Sequence, residues 1–341
     1  MFLQHLGATP VAVAQTRRVH FAKKLIDETE LPMTEVAMAS GFGSIRRFNA
    51  TFQKLYGRTP GDLRRSTARE RSANEAGVYT FRLGYRPPYN WAAMIGFLGA
   101  RAIPGVETIA MEEYRRTISL DGRTGFISVR PVFTKNYLEL RIEFPEPAAL
   151  FRIVERVRNI FDLRADPAEV DGHLRRDARL KAMVRDRAGM RVPGCWDGFE
   201  IAVRAILGQQ VSVKGATTMA GRLVTEFGGG SIFPAAGALA EADLTSIGLT
   251  KQRAHSIREL ASTVARGEVS FDASLGLETF EEKMTTLPGI GPWTAQYVAM
   301  RIGEPDAFPT GDLYLKSFAK ESEAWRPWRA YAAMYIWSQP K

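Results

Sequence analysis

The period of the hydrophobic residues changes twice along this chain of 341 residues, and those two changes limit what it can fold into. From Thr16 to Glu28 the apolar residues Val19, Phe21, Ala22, Leu25 and Ile26 recur at helical spacing. A short helix over Pro32 to Phe42 is ended by Gly41, and a third runs from Ser44 as cap through Ile45, Phe48, Phe52 and Leu55 to Gly57. From Val78 the pattern alternates instead. Val78 to Leu83, Thr108 to Leu120, Phe126 to Val129 and Tyr137 to Ile142 read as strands, with helices expected over Trp91 to Arg101 and from Pro147 through Ile160. From about residue 164 the spacing is helical again, clearest over Phe199 to Leu207 and continuing through Gln210 to Val224, then over Lys251 to Arg266 and Trp293 to Ile302.

That order implies a multidomain fold of α and α+β class. The expected parts are a helical N-terminal block (1–68), a polar linker (69–77), a small antiparallel-sheet α+β domain (78–163) and an all-α domain (164–341). Charge bears on the partner: 46 Lys and Arg against 37 Asp and Glu give +9 and a pI of 9.7, a balance that favours a polyanion. Cys195 is the only cysteine, which excludes disulfides, a four-cysteine iron–sulfur cluster and a cysteine-rich zinc site within one chain. No run approaches the roughly 20 apolar residues of a membrane span, and no apolar N-terminal segment leads to a cleavage site, so a cytoplasmic, membrane-free monomer is expected.

The strongest local signal is Leu287-Pro288-Gly289-Ile290-Gly291 followed by Pro292-Trp293-Thr294-Ala295. Gly289 and Gly291 permit a tight hairpin between helices whose backbone amides, at the N-terminus of the helix near Trp293, form a seat for an anion such as a DNA phosphate. Asp312 comes 21 residues after Gly291 in the loop Phe308-Pro309-Thr310-Gly311 and precedes an apolar run, the setting of an ordinary helix cap.

Taken together, a hairpin and then an aspartate in a Gly/Pro loop about twenty residues on resemble the helix-hairpin-helix DNA glycosylases, and specifically the AlkA-type 3-methyladenine DNA glycosylase II branch. Three strings carry the resemblance. Pro87-Pro88-Tyr89-Asn90-Trp91 stands with Gly96-Phe97-Leu98 and Arg101-Ala102; Val192 to Glu200 runs into Arg204-Ala205-Ile206-Leu207-Gly208-Gln209-Gln210-Val211-Ser212; the hairpin and Asp312 end in Trp325 to Arg329 and Tyr335-Ile336-Trp337.

At matching positions the resemblance implies that Asp312 is the catalytic carboxylate and that Trp293, Tyr297, Trp337 and Phe97 line an aromatic base pocket. It implies that Gln210, with Gln209 beside it, wedges into the stack where the branch's best-known member has leucine, and that Gly289, Gly291 and Thr294 hold the phosphate. Leu313 stands where an aromatic follows the catalytic Asp. The implied reaction is hydrolysis of the N-glycosidic bond of alkylated bases, 3-methyladenine and related, after flipping from double-stranded DNA. No strand cleavage is expected, because Trp293 occupies the position of the lysine that lyase relatives use. No cofactor is implied beyond a monovalent cation that the hairpin carbonyls could hold. The competing reading is an alkylation-responsive transcription regulator with a vestigial glycosylase body.

The N-terminal block from Pro32 to Pro60 resembles the second helix-turn-helix of AraC-type regulators, with Phe42, Phe48 and Phe52 as core and Ser44, Arg46, Arg47 and Asn49 facing DNA. Residues 1–75 carry 12 basic and 7 acidic side chains, +5 of the total charge. In adaptive-response fusions a cysteine-bearing, alkyl-accepting domain precedes such motifs, so a remnant or a truncated fusion is the expectation here.

Overall fold

The computed structural model describes residues 9–29, 31–67, 77–271 and 275–339. By internal contacts the chain divides into two compact units. The first comprises Met1–Arg82, Ile118–Ser128 and Glu139–Glu155; the second comprises Leu83–Thr117, Val129–Leu138 and Arg156–Lys341. The linker expected over 69–77 lies, apart from Gly77, outside the described residues.

Four helices open the first unit: α1 (Pro10–Glu28), α2 (Met33–Ala39), α3 (Ile45–Tyr56) and α4 (Pro60–Thr67). Helix α1 starts ahead of Thr16 because the Thr9 hydroxyl accepts from the Ala12 amide at 3.1 Å and Pro10 presets the first turn. Helix α3 begins where the Ser44 Oγ accepts from the Arg47 amide (3.2 Å) and ends at Gly57, whose φ of 65° is left-handed. Phe42, Phe48 and Phe52 are buried in a chain of ring contacts at 5.2 and 4.9 Å. Within the same unit Phe21 meets Phe151 edge-on at 5.0 Å and lies 6.3 Å from Phe81.

The strands are β1 (Val78–Gly84), β2 (Glu107–Ala110), β3 (Glu113–Leu120), β4 (Arg123–Val132) and β5 (Tyr137–Glu143), in the order β1-β5-β4-β3-β2. The single strand expected over Thr108 to Leu120 is a hairpin, β2 antiparallel to β3 with Glu107 opposite Arg116. Met111 and Glu112 make the turn at φ 49° and 61°, with no glycine or asparagine to announce it. Helix α5 (Trp91–Ala100) follows β1, and α6 (Leu150–Ile160) follows β5.

The rest of the second unit is helical: α7 (Pro167–Leu174), α8 (Ala178–Asp186), α9 (Gly198–Leu207), α10 (Val213–Phe227), α11 (Ala236–Ala240), α12 (Lys251–Ala265), α13 (Leu277–Thr285), α14 (Pro292–Ile302) and α15 (Arg329–Trp337). Leu207, Leu223, Ile257, Val298, Trp325 and Tyr335 lie in its core. The expected continuous helix from Phe199 to Val224 is broken between α9 and α10. There Gln210 takes φ 56°, and Ser212 caps the new helix by accepting from the Gly215 amide at 3.1 Å.

A buried ion network crosses this unit. Arg116 on β3 lies between Glu107 and Glu200, and Arg204, one turn after Glu200 on α9, bonds both carboxylates at 3.0 Å. Cys195 packs against the helical core, and burial of its sulfur pushes the thiol up to about 12. Among the described residues no helix is long and apolar enough to cross a membrane.

Candidate active site

Residues 286–291 turn the chain between α13 and α14. Gly289 sits at φ 76°, and a Cβ there would come within 2.1 Å of the Ser256 Oγ, so both conformation and space demand glycine. Helix α14 starts from Gly291 with no capping side chain, and Pro292 has no N–H to offer. The amides of Gly291, Trp293 and Thr294 therefore meet no acceptor among the described residues. Unfilled amides at a helix N-terminus are the elements of an anion seat. From the α9–α10 break, the Gln209 Nε2 donates to the Gly289 carbonyl (2.8 Å) and to the Thr294 Oγ1 (3.0 Å), and the Arg253 Nη2 donates to the Gln209 carbonyl (2.7 Å).

Beside the hairpin lies a cavity of about 790 Å³ with Trp293, Tyr297, Trp337 and Asp312 in its wall. Trp293 and Tyr297 are one helical turn apart, so they share a face of α14 and stack at 5.4 Å with 5° between ring planes. Trp337, from α15, stands 6.4 Å from Tyr297 at 57°. Aromatic faces set at an angle give a slot that a flat heterocycle can enter.

Asp312 is held at one oxygen. Its Oδ1 accepts from the amides of Tyr314 (2.9 Å) and Leu315 (3.3 Å) and from the indole Nε1 of Trp337 (3.0 Å). Among the described residues no donor reaches Oδ2. The carboxylate is thus fixed in orientation, with one oxygen left for chemistry in the cavity wall.

Opposite chemistry lines another part of the same cavity: Arg101, Arg204 and Arg301. Arg301 bonds the carbonyls of Pro193 and Gly194 and donates from Nη1 to the Tyr297 hydroxyl at 2.8 Å. Burial alone would raise the Tyr297 hydroxyl, but the charges of Arg301, Arg101 and Arg204 outweigh it and hold the group below the ordinary phenol value. Sequence reasoning gave these arginines no role. Two of them stood inside the strings already quoted, and Arg301 follows Tyr297 at helical spacing; that spacing was the signal available.

Of the expected pocket residues, Phe97 stands elsewhere. Phe97 is not in the cavity wall; it is sandwiched one layer back, 3.8 Å below the Arg101 guanidinium and 5.1 Å from that of Arg301. Gln209 and Gln210 are likewise outside the wall, Gln209 turned to the hairpin and Gln210 exposed on the loop. Thr294 is buried with its hydroxyl engaged by Gln209, so what it presents to an anion is its amide. In the first unit Arg46, Arg47 and Asn49 are exposed on α3, whereas the Ser44 hydroxyl is used as that helix's cap. Among the described residues no group of three or more His, Cys, Asp or Glu side chains is placed to hold a metal ion.

Comparison with known proteins divides the chain in three. Residues 1–66 match the family model of a helix-turn-helix domain, 80–197 that of the AlkA N-terminal domain, and 203–335 that of the HhH-GPD superfamily of base excision DNA repair proteins. A relative from Mycobacterium tuberculosis, a probable bifunctional transcriptional activator/DNA repair enzyme AlkA, is 37% identical over 98% of this chain and 72% of its own length. DNA-3-methyladenine glycosylase 2 of Escherichia coli K12 is 33% identical over 75% of this chain and 96% of its own. Among solved structures, a 3-methyladenine DNA glycosylase from Archaeoglobus fulgidus superposes with a TM-score of 0.65 at 22% identity, over 75% of this chain and 96% of its own, a likeness of fold.

Proposed function

From the premise that this chain belongs to the AlkA-type glycosylases of base-excision DNA repair, we propose that Asp312 drives hydrolysis of the N-glycosidic bond of alkylated bases and that no strand-cleaving step follows. The observation that carries the reading is the division of labour in the Asp312 carboxylate. Three donors hold Oδ1, and among the described residues Oδ2 is left without a partner in the wall of an aromatic cavity beside an anion-seating hairpin.

The alkylated base enters the cavity only when rotated out of the duplex, where the walls of Trp293, Tyr297 and Trp337 receive it. As the bond from C1′ to the base nitrogen lengthens, positive charge develops on the sugar. Asp312 Oδ2 faces that charge; unit charges 4 Å apart at an effective dielectric of 20 attract by about 4 kcal/mol, or about three decades of rate. Water adds to C1′ and gives up a proton, to the Asp312 carboxylate or to solvent, and the sugar is left abasic. A cationic alkylpurine leaves as a neutral molecule and is drawn to the aromatic faces beforehand. The free amides of the hairpin and of α14 hold the backbone phosphate, and Gln210, strained at φ 56° on an exposed loop, fills the space the base vacates.

Asp312→Asn is the test. Release of 3-methyladenine from alkylated duplex should fall about a thousandfold while duplex binding persists; full activity would remove the mechanism. Absence of lyase chemistry is checked separately by borohydride. The helix position after the hairpin is Trp293, and the lysine that does line the cavity, Lys214, is exposed in the first turn of α10. A trapped covalent adduct would show Lys214 or another amine acting as a nucleophile.

For the N-terminal block the reading is DNA binding through Arg46, Arg47 and Asn49 on α3, as a regulatory addition to repair. A regulator with a vestigial site is not favoured, since Asp312, Trp293, Tyr297 and Trp337 are brought together intact.

A further inference from the structure

Two guanidinium groups in the cavity wall are at odds with a pocket meant for cations alone. Arg204 is neutralised by Glu107 and Glu200. Arg101 and Arg301 have no ion pair among the described residues. Arg301 spends its donors on two carbonyls and on the Tyr297 hydroxyl. Arg101 lies over Phe97, 3.8 Å from the ring centroid, donates from Nη1 to the Phe97 carbonyl at 3.4 Å and sets its charge near the Tyr297 hydroxyl. The Tyr297 oxygen accepts from Arg301 and feels the charge of both arginines, and its own proton meets no acceptor among the described residues. An exposed pair of charges would be screened by water, but these are enclosed, where Coulomb interactions are several-fold stronger.

Such a cluster works against a base that arrives positively charged. It works in favour of one that departs negatively charged. When an uncharged base is hydrolysed from its sugar, the electron pair of the C1′–N bond stays on the nitrogen and the base leaves as an anion. The attacking water forms the new C1′–O bond, and the proton it loses ends on that anion, so the products are the neutral base and the abasic sugar. The costly moment is the anion, and it is the one moment at which Arg101, Arg301 and the Tyr297 O–H can help.

We propose that Arg101, Arg301 and the Tyr297 hydroxyl form a leaving-group site in which uncharged damaged bases are released as anions, while the aromatic walls serve the cationic lesions. This rests on the glycosylase reading above and divides its pocket into two parts with separate substrates. Tyr297 is then a specificity-determining residue through its hydroxyl, and Phe97, against which both guanidiniums lie, is a positioning residue.

The test is a ratio. Single-turnover release of hypoxanthine, uncharged at neutral pH, and of 7-methylguanine, cationic in DNA, is measured on otherwise identical duplexes for the wild type, Tyr297→Phe and Arg101→Met. The hypoxanthine-to-7-methylguanine rate ratio should fall about a hundredfold in each variant, the usual loss for one donor aimed at a developing anion. A purely structural role would slow both lesions together and leave the ratio where it was, which overturns the proposal; so does an unchanged hypoxanthine rate. Tyr297→Phe removes a single oxygen and keeps the ring, so it answers the question even if Arg101→Met fails to fold. Wild-type protein that releases 7-methylguanine but no hypoxanthine overturns this inference alone, whereas release of neither base overturns the glycosylase reading beneath it.

Discussion

Trp337 Nε1 lies 3.0 Å from Asp312 Oδ1, so an aromatic wall of the cavity is also a fastening for its carboxylate. One side chain from α15 thereby sets two things at once, the shape available to the base and the direction in which Oδ2 points. Removing the nitrogen while keeping a ring separates them. Trp337→Phe should lower the single-turnover rate of base release about tenfold, the worth of one hydrogen bond to a charged group. A rate within twofold of wild type would show that the backbone amides of Tyr314 and Leu315 orient Asp312 unaided.

Gln209 joins the loop after α9 to the hairpin through Gly289 and Thr294. Gln209→Ala should loosen the anion seat without touching the cavity wall, weakening binding of undamaged duplex by about tenfold at fixed salt. Titration of a labelled duplex at two salt concentrations measures it. Unaltered affinity would mean that the hairpin holds its shape alone.

Glu200 is the carboxylate shared by two buried arginines. Glu200→Gln leaves Arg116 and Arg204 with too little negative charge away from water, at a cost of about 3–5 kcal/mol. The midpoint of urea unfolding should drop accordingly, while Glu268→Gln, at the exposed pair with Arg266, should leave it in place. Equal effects would deny the network any special role.

Glu28 ends α1 largely out of water; burial pushes its carboxyl up to about 7 despite Lys24 at 3.9 Å, and its Oε2 has no hydrogen-bond partner among the described residues. Between the ordinary 4.5 and about 7 the folded chain keeps a proton that the unfolded chain has released. Stability from this group is therefore full below 4.5 and is lost as pH rises through 7. Glu28→Gln should flatten that slope and stabilise the protein at pH 8 by roughly 2 kcal/mol. Denaturation at pH 5 and pH 8 checks the sign; a variant less stable than wild type at pH 8 would refute it.

The order of helical, strand and helical blocks was legible because each type of element imposes its own period on buried residues. The break at Gly208 to Ser212 was not, since the apolar spacing runs on across it and only the left-handed Gln210 betrays the turn. The β2–β3 hairpin hid for a related reason: Met111 and Glu112 are not residues that advertise positive φ. Arg101, Arg204 and Arg301 escaped because a long charged side chain is read as solvated, although Phe97, Glu200 and Tyr297 each stand four residues before one of them; only the more distant partners, Glu107 and the Pro193 and Gly194 carbonyls, show that they turn inward. For Asp312 the sequence posed a choice between helix cap and catalyst. Its Oδ1 makes cap-like bonds to the Tyr314 and Leu315 amides although a turn and not an α-helix follows, and the proposed catalytic role falls to the other oxygen.

Cys195 draws a last consequence from burial. An enzyme of alkylation repair acts where electrophiles are abundant, and a thiolate would be their first target on a protein surface. This chain has one sulfhydryl, and with its thiol raised to about 12 it stays protonated and unreactive at neutral pH. Amid the agents that damage its substrate, Cys195 is thus kept in its less reactive, protonated form.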